Sequence, residues 1–85
     1  MQTIIREMRG IPFFLLKEYL VDMGGTEVDE NHVSGKGWNV TLSRMEPYRI
    51  GSLSVGQTLV EIEIEEALAD EFMETFNLKT WRAGG

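Results

Sequence analysis

Apolar and polar positions along this chain repeat with two different periods, and the switches between them mark its elements. Thr3 to Met8 is a short β-prone run that ends at Gly10 and predicts a strand. Pro12 suits the first turn of a helix, where its missing N–H costs nothing. Phe13, Leu16, Leu20 and Met23 then follow at helical spacing, with Phe14, Leu15 and Tyr19 widening the stripe. Gly24-Gly25 supplies the left-handed stop for that helix. Thr26 to Val33 is polar and weakly patterned, predicting a strand plus a turn, and Ser34-Gly35-Lys36-Gly37 is a turn cluster. Trp38 to Ser43 alternates cleanly, as a half-buried strand does. Glu46-Pro47 is expected to break it, Tyr48 to Leu53 to resume extension, and Ser54-Val55-Gly56-Gln57 to turn. Thr58 to Glu65 is a second strong alternator, with Val60, Ile62 and Ile64 toward the core and Glu61, Glu63 and Glu65 away from it.

From Glu66 to Asn77 the period returns to that of a helix, with Leu68, Ala69, Phe72, Met73 and Phe76 on one side. Glu65, Glu66, Asp70 and Glu71 crowd its N-terminal turns and Lys79 its other end, as the helix dipole prefers. Thr80 to Gly85 shows no period. The expected order is β-α-β-β-β-β-α: an α+β fold with two helices on one face of a curved antiparallel sheet. A single domain over 1–79 with a tail over 80–85 accounts for the chain, which has no internal repeat, linker or low-complexity segment.

Composition narrows the chemistry. Eighty-five residues, 42% of them hydrophobic, suffice for one small core. The absence of cysteine excludes disulfides, thiolate metal sites and a cysteine nucleophile, and a single histidine excludes a His-based zinc site. Fourteen acids against eight bases, a net charge of −6, oppose non-specific nucleic-acid binding. No run is long and apolar enough to span a membrane, and the N-terminus has no signal-peptide pattern, so the expected location is cytoplasmic. The charge is also segregated, because Ile50 to Leu78 holds seven acids and no Lys or Arg.

Few residues suggest a site. Gly84-Gly85 is the sharpest local feature: an adenylating enzyme draws a terminal carboxylate through a narrow channel, and glycine passes without a Cβ. A frayed terminus where glycine is tolerated is the simpler account, because the β-α opening conflicts with the β-β-α-β-β order of carriers activated in this way and the tail here follows a helix. Glu61, Glu63 and Glu65 form either a docking face for a basic partner or a solvated row that resists edge aggregation. Asp29, Glu30 and His32 are too few and too irregular for a metal loop. Gly51-Ser52-Leu53-Ser54-Val55-Gly56 lacks the lysine and spacing of a phosphate-binding loop and reads as a hairpin. Ser52 and Ser54 have no base partner, and the acidic surroundings of Trp38 and Trp81 make them core or interface anchors rather than base-stacking residues. Nothing marks Glu63 and Glu65 as a glycosidase pair. No catalytic, metal or cofactor-binding residue is assigned, and the protein is expected not to be an enzyme.

Several stretches together carry a resemblance. Gly10-Ile11-Pro12-x-x-Leu15-Leu16-x-x-Tyr19-Leu20, Gly24-Gly25-Thr26, Glu46-Pro47, Gly51-Ser52-Leu53-Ser54, Gln57, Val60-Glu61-x-Glu63 and Glu65-Glu66-Ala67 are similar, in that order, to the C-terminal domain of MoaD-related proteins. The glycine-rich ending after Arg82 is similar in character. The resemblance implies a TBP-like β-α-β4-α fold standing without the MoaD-like half, itself a ubiquitin-like sulfur carrier for molybdopterin synthesis. It brings no catalytic residues, and the TBP-like label does not bring DNA binding with it. Two functions follow as expectations. One is a non-enzymatic adaptor of molybdenum-cofactor synthesis or sulfur transfer, docking a sulfur-transfer or adenylating enzyme, with a homodimer also open. The other is a carrier activated at Gly85 as an adenylate and then a thiocarboxylate; without a side-chain thiol, that carboxylate is the group left to hold sulfur.

Overall fold

The computed structural model describes residues 1–84, with side chains through Trp81. Its elements are β1 (Gln2–Arg9), α1 (Phe13–Asp22), β2 (Thr26–Asp29), β3 (His32–Gly35), β4 (Trp38–Ile50), β5 (Leu53–Ile64) and α2 (Glu66–Gly84). The five strands form one open antiparallel sheet in the order β1-β5-β4-β3-β2. α1 leaves the β1 edge and returns the chain at the β2 edge, from which three hairpins lead back to β1. This is the α+β order expected above, with both helices on the same face.

That face is set by alternation. Val60, Ile62 and Ile64 of β5 lie beside Leu42, Val40 and Trp38 of β4, and all six are buried. Leu16 and Leu20 of α1 and Phe72 and Phe76 of α2 close the core over them. α1 starts after Pro12, which holds the position just before the first helical residue. It ends in a Schellman motif: Gly24, at φ +99°, donates to Val21 O, and Gly25 to Leu20 O. Phe14 does not widen the buried stripe; it is 62% exposed, because it lies on the opposite side of α1 from Leu16 and Leu20.

The middle of the chain departs from the expected boundaries. The β2–β3 hairpin runs from Thr26 to Gly35, so Ser34 and Gly35 are strand and the turn narrows to Lys36-Gly37, while β4 runs straight through Glu46-Pro47. The sheet absorbs the proline in a bulge between Met45 and Tyr48, where the neighbouring edge of β4 has no β3 partner left to bond. Ser54 to Gln57 is strand as well, and the reversal is the two-residue Gly51-Ser52 loop, with Gly51 at φ +60°. Beyond Gln57 and Met45 the β4–β5 hairpin continues as a two-stranded arm, consistent with a long molecular axis of 43 Å. Its base is tied down by Gly10 N–H donating to Gly56 O, and by Arg9 stacked 4.0 Å over the Tyr48 ring. α2 also runs on beyond Asn77, through Gly84. Thr80 extends the buried stripe of Phe72 and Phe76, its hydroxyl satisfied by donation to Phe76 O at 2.9 Å.

Trp38 joins these layers. It lies directly across from Gly35, where any Cβ would overlap its indole ring. A Cβ on Gly25 would meet the same ring at 2.6 Å, and Phe72 of α2 packs against it with centroids 4.9 Å apart. Gly35→Ala is therefore expected to cost about 1–3 kcal/mol of stability through overpacking. In a Trp38→Leu background the same change costs much less, as a double-mutant cycle by chemical denaturation would measure. Equal costs in the two backgrounds would dismiss the Gly35–Trp38 contact as the cause.

Candidate functional site

With both helices on one side, the other face of the sheet has nothing laid over it. The register defines what it presents. On β5, Glu63 stands between Thr3 and Asn39, Glu61 between Ile5 and Thr41, Leu59 between Glu7 and Ser43, and Gln57 between Arg9 and Met45. Past the bulge the same side of the arm carries the pairs Tyr48–Val55 and Ile50–Leu53. Ile5 is 60% exposed, Ile50 57% and Leu53 68%. An apolar strip thus runs from Ile5 and Leu59 down the arm to its tip, crossed once by the Arg9–Gln57 pair, with Glu7, Glu61 and Glu63 grouped at its upper end. Exposed apolar area rimmed by charge is the usual mark of a contact surface.

Of the expected acidic row, Glu61 and Glu63 share this face, Glu61 half-buried and Glu63 exposed. Glu65 does not continue it. β5 ends at Ile64, and Glu65 is the link into α2. There its N–H donates to Gly37 O and its carbonyl accepts from Leu68, with its carboxylate against Gly37. Among the described residues, Glu61 and Glu63 make no ion pair or side-chain hydrogen bond. The ion pairs among the described residues are Lys17–Glu27, His32–Asp29 and Lys79–Asp22. Arg9, the cation on this face, is engaged instead by Tyr48 and by its Nε donating to Gln57 Oε1 at 2.8 Å. Gly84 is the last helical residue of α2, and Gly85 lies outside the described residues.

The lone histidine closes the β2–β3 hairpin. His32 Nδ1 lies 2.8 and 2.9 Å from the two carboxylate oxygens of Asp29, and Asn31 N–H donates to Asp29 Oδ1 at 2.8 Å. An ionised carboxylate only accepts, so Nδ1 carries the proton and Nε2 is the outward nitrogen. Among the described residues, no three His, Asp or Glu side chains converge as a metal site would need. The apolar strip is not legible in the sequence, because Glu46-Pro47 and Ser54 to Gln57 read as breaks within the two strands of the arm. The signal was the alternation Leu53, Val55, Gln57, Leu59 in one unbroken parity.

The His32 hydrogen bond, then the Asn31 N–H, hold the Asp29 carboxyl below its ordinary value of 3.8. Because the folded-state value is the lower one, its contribution to the hairpin is complete above the ordinary carboxylate range. It is lost as pH falls through the depressed value. A carboxyl-carbon NMR titration is expected to place the Asp29 midpoint below 3.8, and His32→Ala to move it upward. A midpoint indifferent to His32→Ala would contradict this assignment.

None of the curated proteins compared with the chain matches it significantly. The sequence profile of the family described as archaeal MoaD-like protein matches residues 4–85. The match takes in β1 from Ile4 onward, the other four strands, both helices and the segment through Gly84-Gly85. The chain belongs to the family of archaeal MoaD-like proteins.

Proposed function

We propose that this protein is a non-enzymatic adaptor in MoaD-related sulfur transfer or molybdopterin synthesis, and that the bare face of its sheet is what it docks with. The carrying observation is the pairing, on one uncovered face, of uncompensated Glu61 and Glu63 with the apolar strip from Ile5 to Leu53. Burying one such side chain fully yields about 1.5–3 kcal/mol, and the strip offers several. The acids add selectivity: they favour a partner whose apolar contact is rimmed by Lys or Arg, and they repel phosphate backbones. Membership of a MoaD-like family supports the sulfur-transfer context of this reading, in which the partner is an adenylating or sulfur-transfer enzyme.

The second reading, a carrier activated at Gly85, is supported by a family match that runs through Gly84-Gly85. It requires the last turn of α2 to unwind, since Gly84 is helical and an activating channel takes an extended chain. Intact-mass spectrometry of protein from its native host tests it, by exchange of one oxygen for sulfur.

For the adaptor, the test is an NMR titration with the adenylating or sulfur-transfer enzyme of the same host. Amides of β1, β4 and β5 are expected to broaden or shift. Glu61→Lys with Glu63→Lys is expected to weaken binding about tenfold or more, and added salt to weaken the wild type. Perturbations confined to the helices, or an affinity untouched by charge reversal, would remove the sheet face from the reading.

A further inference from the structure

α2 does not lie flat against the whole sheet. Its C-terminal half stands off the edge strand β1 and leaves a shallow, solvent-open cleft of about 630 Å³ on the helix side, away from the proposed docking face. Small-molecule sites run from about 300 to 1,000 Å³ and are mostly apolar with a few placed polar groups. Met8 of β1 and Ile11 beyond it form one apolar wall, and Leu78 and Trp81 of α2 the other. Leu78 is 57% exposed and Trp81 75%. These two side chains reach solvent because the cleft between the walls is open, and a Trp there offers an apolar face with an N–H at its rim.

Among the described residues, Arg6 and Glu74 are the charged groups that decide what fits. Arg6 alternates with Ile4 and Met8 and lies beside Val60, so it shares the helix side of β1. Among the described residues its guanidinium makes no ion pair, hydrogen bond or aromatic stack. Glu74 lines the α2 wall and pairs neither with Arg6 nor with any other described cation. Arg9 also borders the cleft, but its guanidinium is held on the other face by Gln57 and Tyr48. One free guanidinium can take one carboxylate in a two-pronged hydrogen bond. A phosphate dianion would bring a second negative charge into a space that already holds Glu74.

We propose that this cleft binds an amphiphilic monocarboxylate, with its apolar body between Met8, Ile11, Leu78 and Trp81 and its carboxylate on Arg6. The site is independent of the sheet-face docking reading and stands or falls without it.

Decanoate, kept below its micellar concentration, is the probe, and the intact chain carries its own reporters. Its two tryptophans give two indole N–H signals, one from buried Trp38 and one from Trp81 in the cleft. Decanoate is expected to shift the Trp81 signal saturably and to leave the Trp38 signal in place. Decan-1-ol, with the same body and no charge, is expected to bind about tenfold or more weakly, one charge-assisted hydrogen-bond pair being lost. Arg6→Gln should weaken decanoate by a similar factor and leave decan-1-ol unchanged, while Glu74→Gln should tighten decanoate by removing the like charge. Both substitutions are at exposed positions, so folding is retained and checked by the unmoved Trp38 signal. No saturable shift of Trp81, equal binding of decanoate and decan-1-ol, tighter binding of decylammonium, or an Arg6→Gln protein that binds decanoate as before would each overturn the proposal.

Discussion

Everything on the helix side of this protein is fitted around one indole ring. Trp38 opens β4 and faces Gly35 across the ladder, with Gly25 after α1 close above it and Phe72 of α2 packed on its other side. The end of α1, the β3–β4 hairpin and α2 thus meet at one side chain. Glycine stands at two of those contacts because a methyl group has no room there. A ring that large, held by backbone on two sides, fixes where α1 must end and how closely α2 can approach. In an 85-residue chain with no disulfide, such a junction substitutes for the larger core that a longer domain would build.

Placing both helices around that ring has a second consequence. The far side of the sheet receives no cover, and alternation puts onto it whatever each strand does not bury. On β5 these residues are Glu61 and Glu63, and on the arm they are apolar. The arm itself stands clear because β1 stops at Arg9 and β3 stops opposite Thr41, leaving β4 and β5 paired only with each other. Two-stranded ribbons are marginal alone. The hydrogen bond from Gly10 to Gly56 and the Arg9–Tyr48 stack at its root keep this one joined to the sheet. The adaptor reading draws on this same asymmetry between a filled face and a bare one.

Strand and helix identity were largely legible where the alternation was strong. The parity of Val60, Ile62 and Ile64 against Glu61 and Glu63, and the stripe Phe13, Leu16, Leu20, Met23, survive intact in the fold. Pro47 misled, because a proline in a central strand would break the ladder, whereas here β4 is an edge by that point and a bulge accommodates it. Gly56 suggested a turn, yet it sits within β5 on the arm, where no Cβ is needed for packing. Glu65 looked like the third rung of an acidic row; one residue past the strand, it belongs to the entry of α2. Thr80 and Trp81 appeared aperiodic because the stripe had switched from phenylalanine to a threonine whose hydroxyl bonds back to its own helix.

The sequence by itself determined the element order, the core face of each strong strand, the absence of thiol chemistry and the segregation of acidic charge. Each of these is carried by residue type and local spacing, which need no partner to be read. Tertiary structure alone decided which acids share a surface, that the arm's apolar residues form one strip, and that α2 stands off β1 to leave a cleft beside Arg6. Those are relations between segments far apart in the chain. They are set by strand register and by the angle at which helices settle on a tryptophan, neither of which local periodicity encodes.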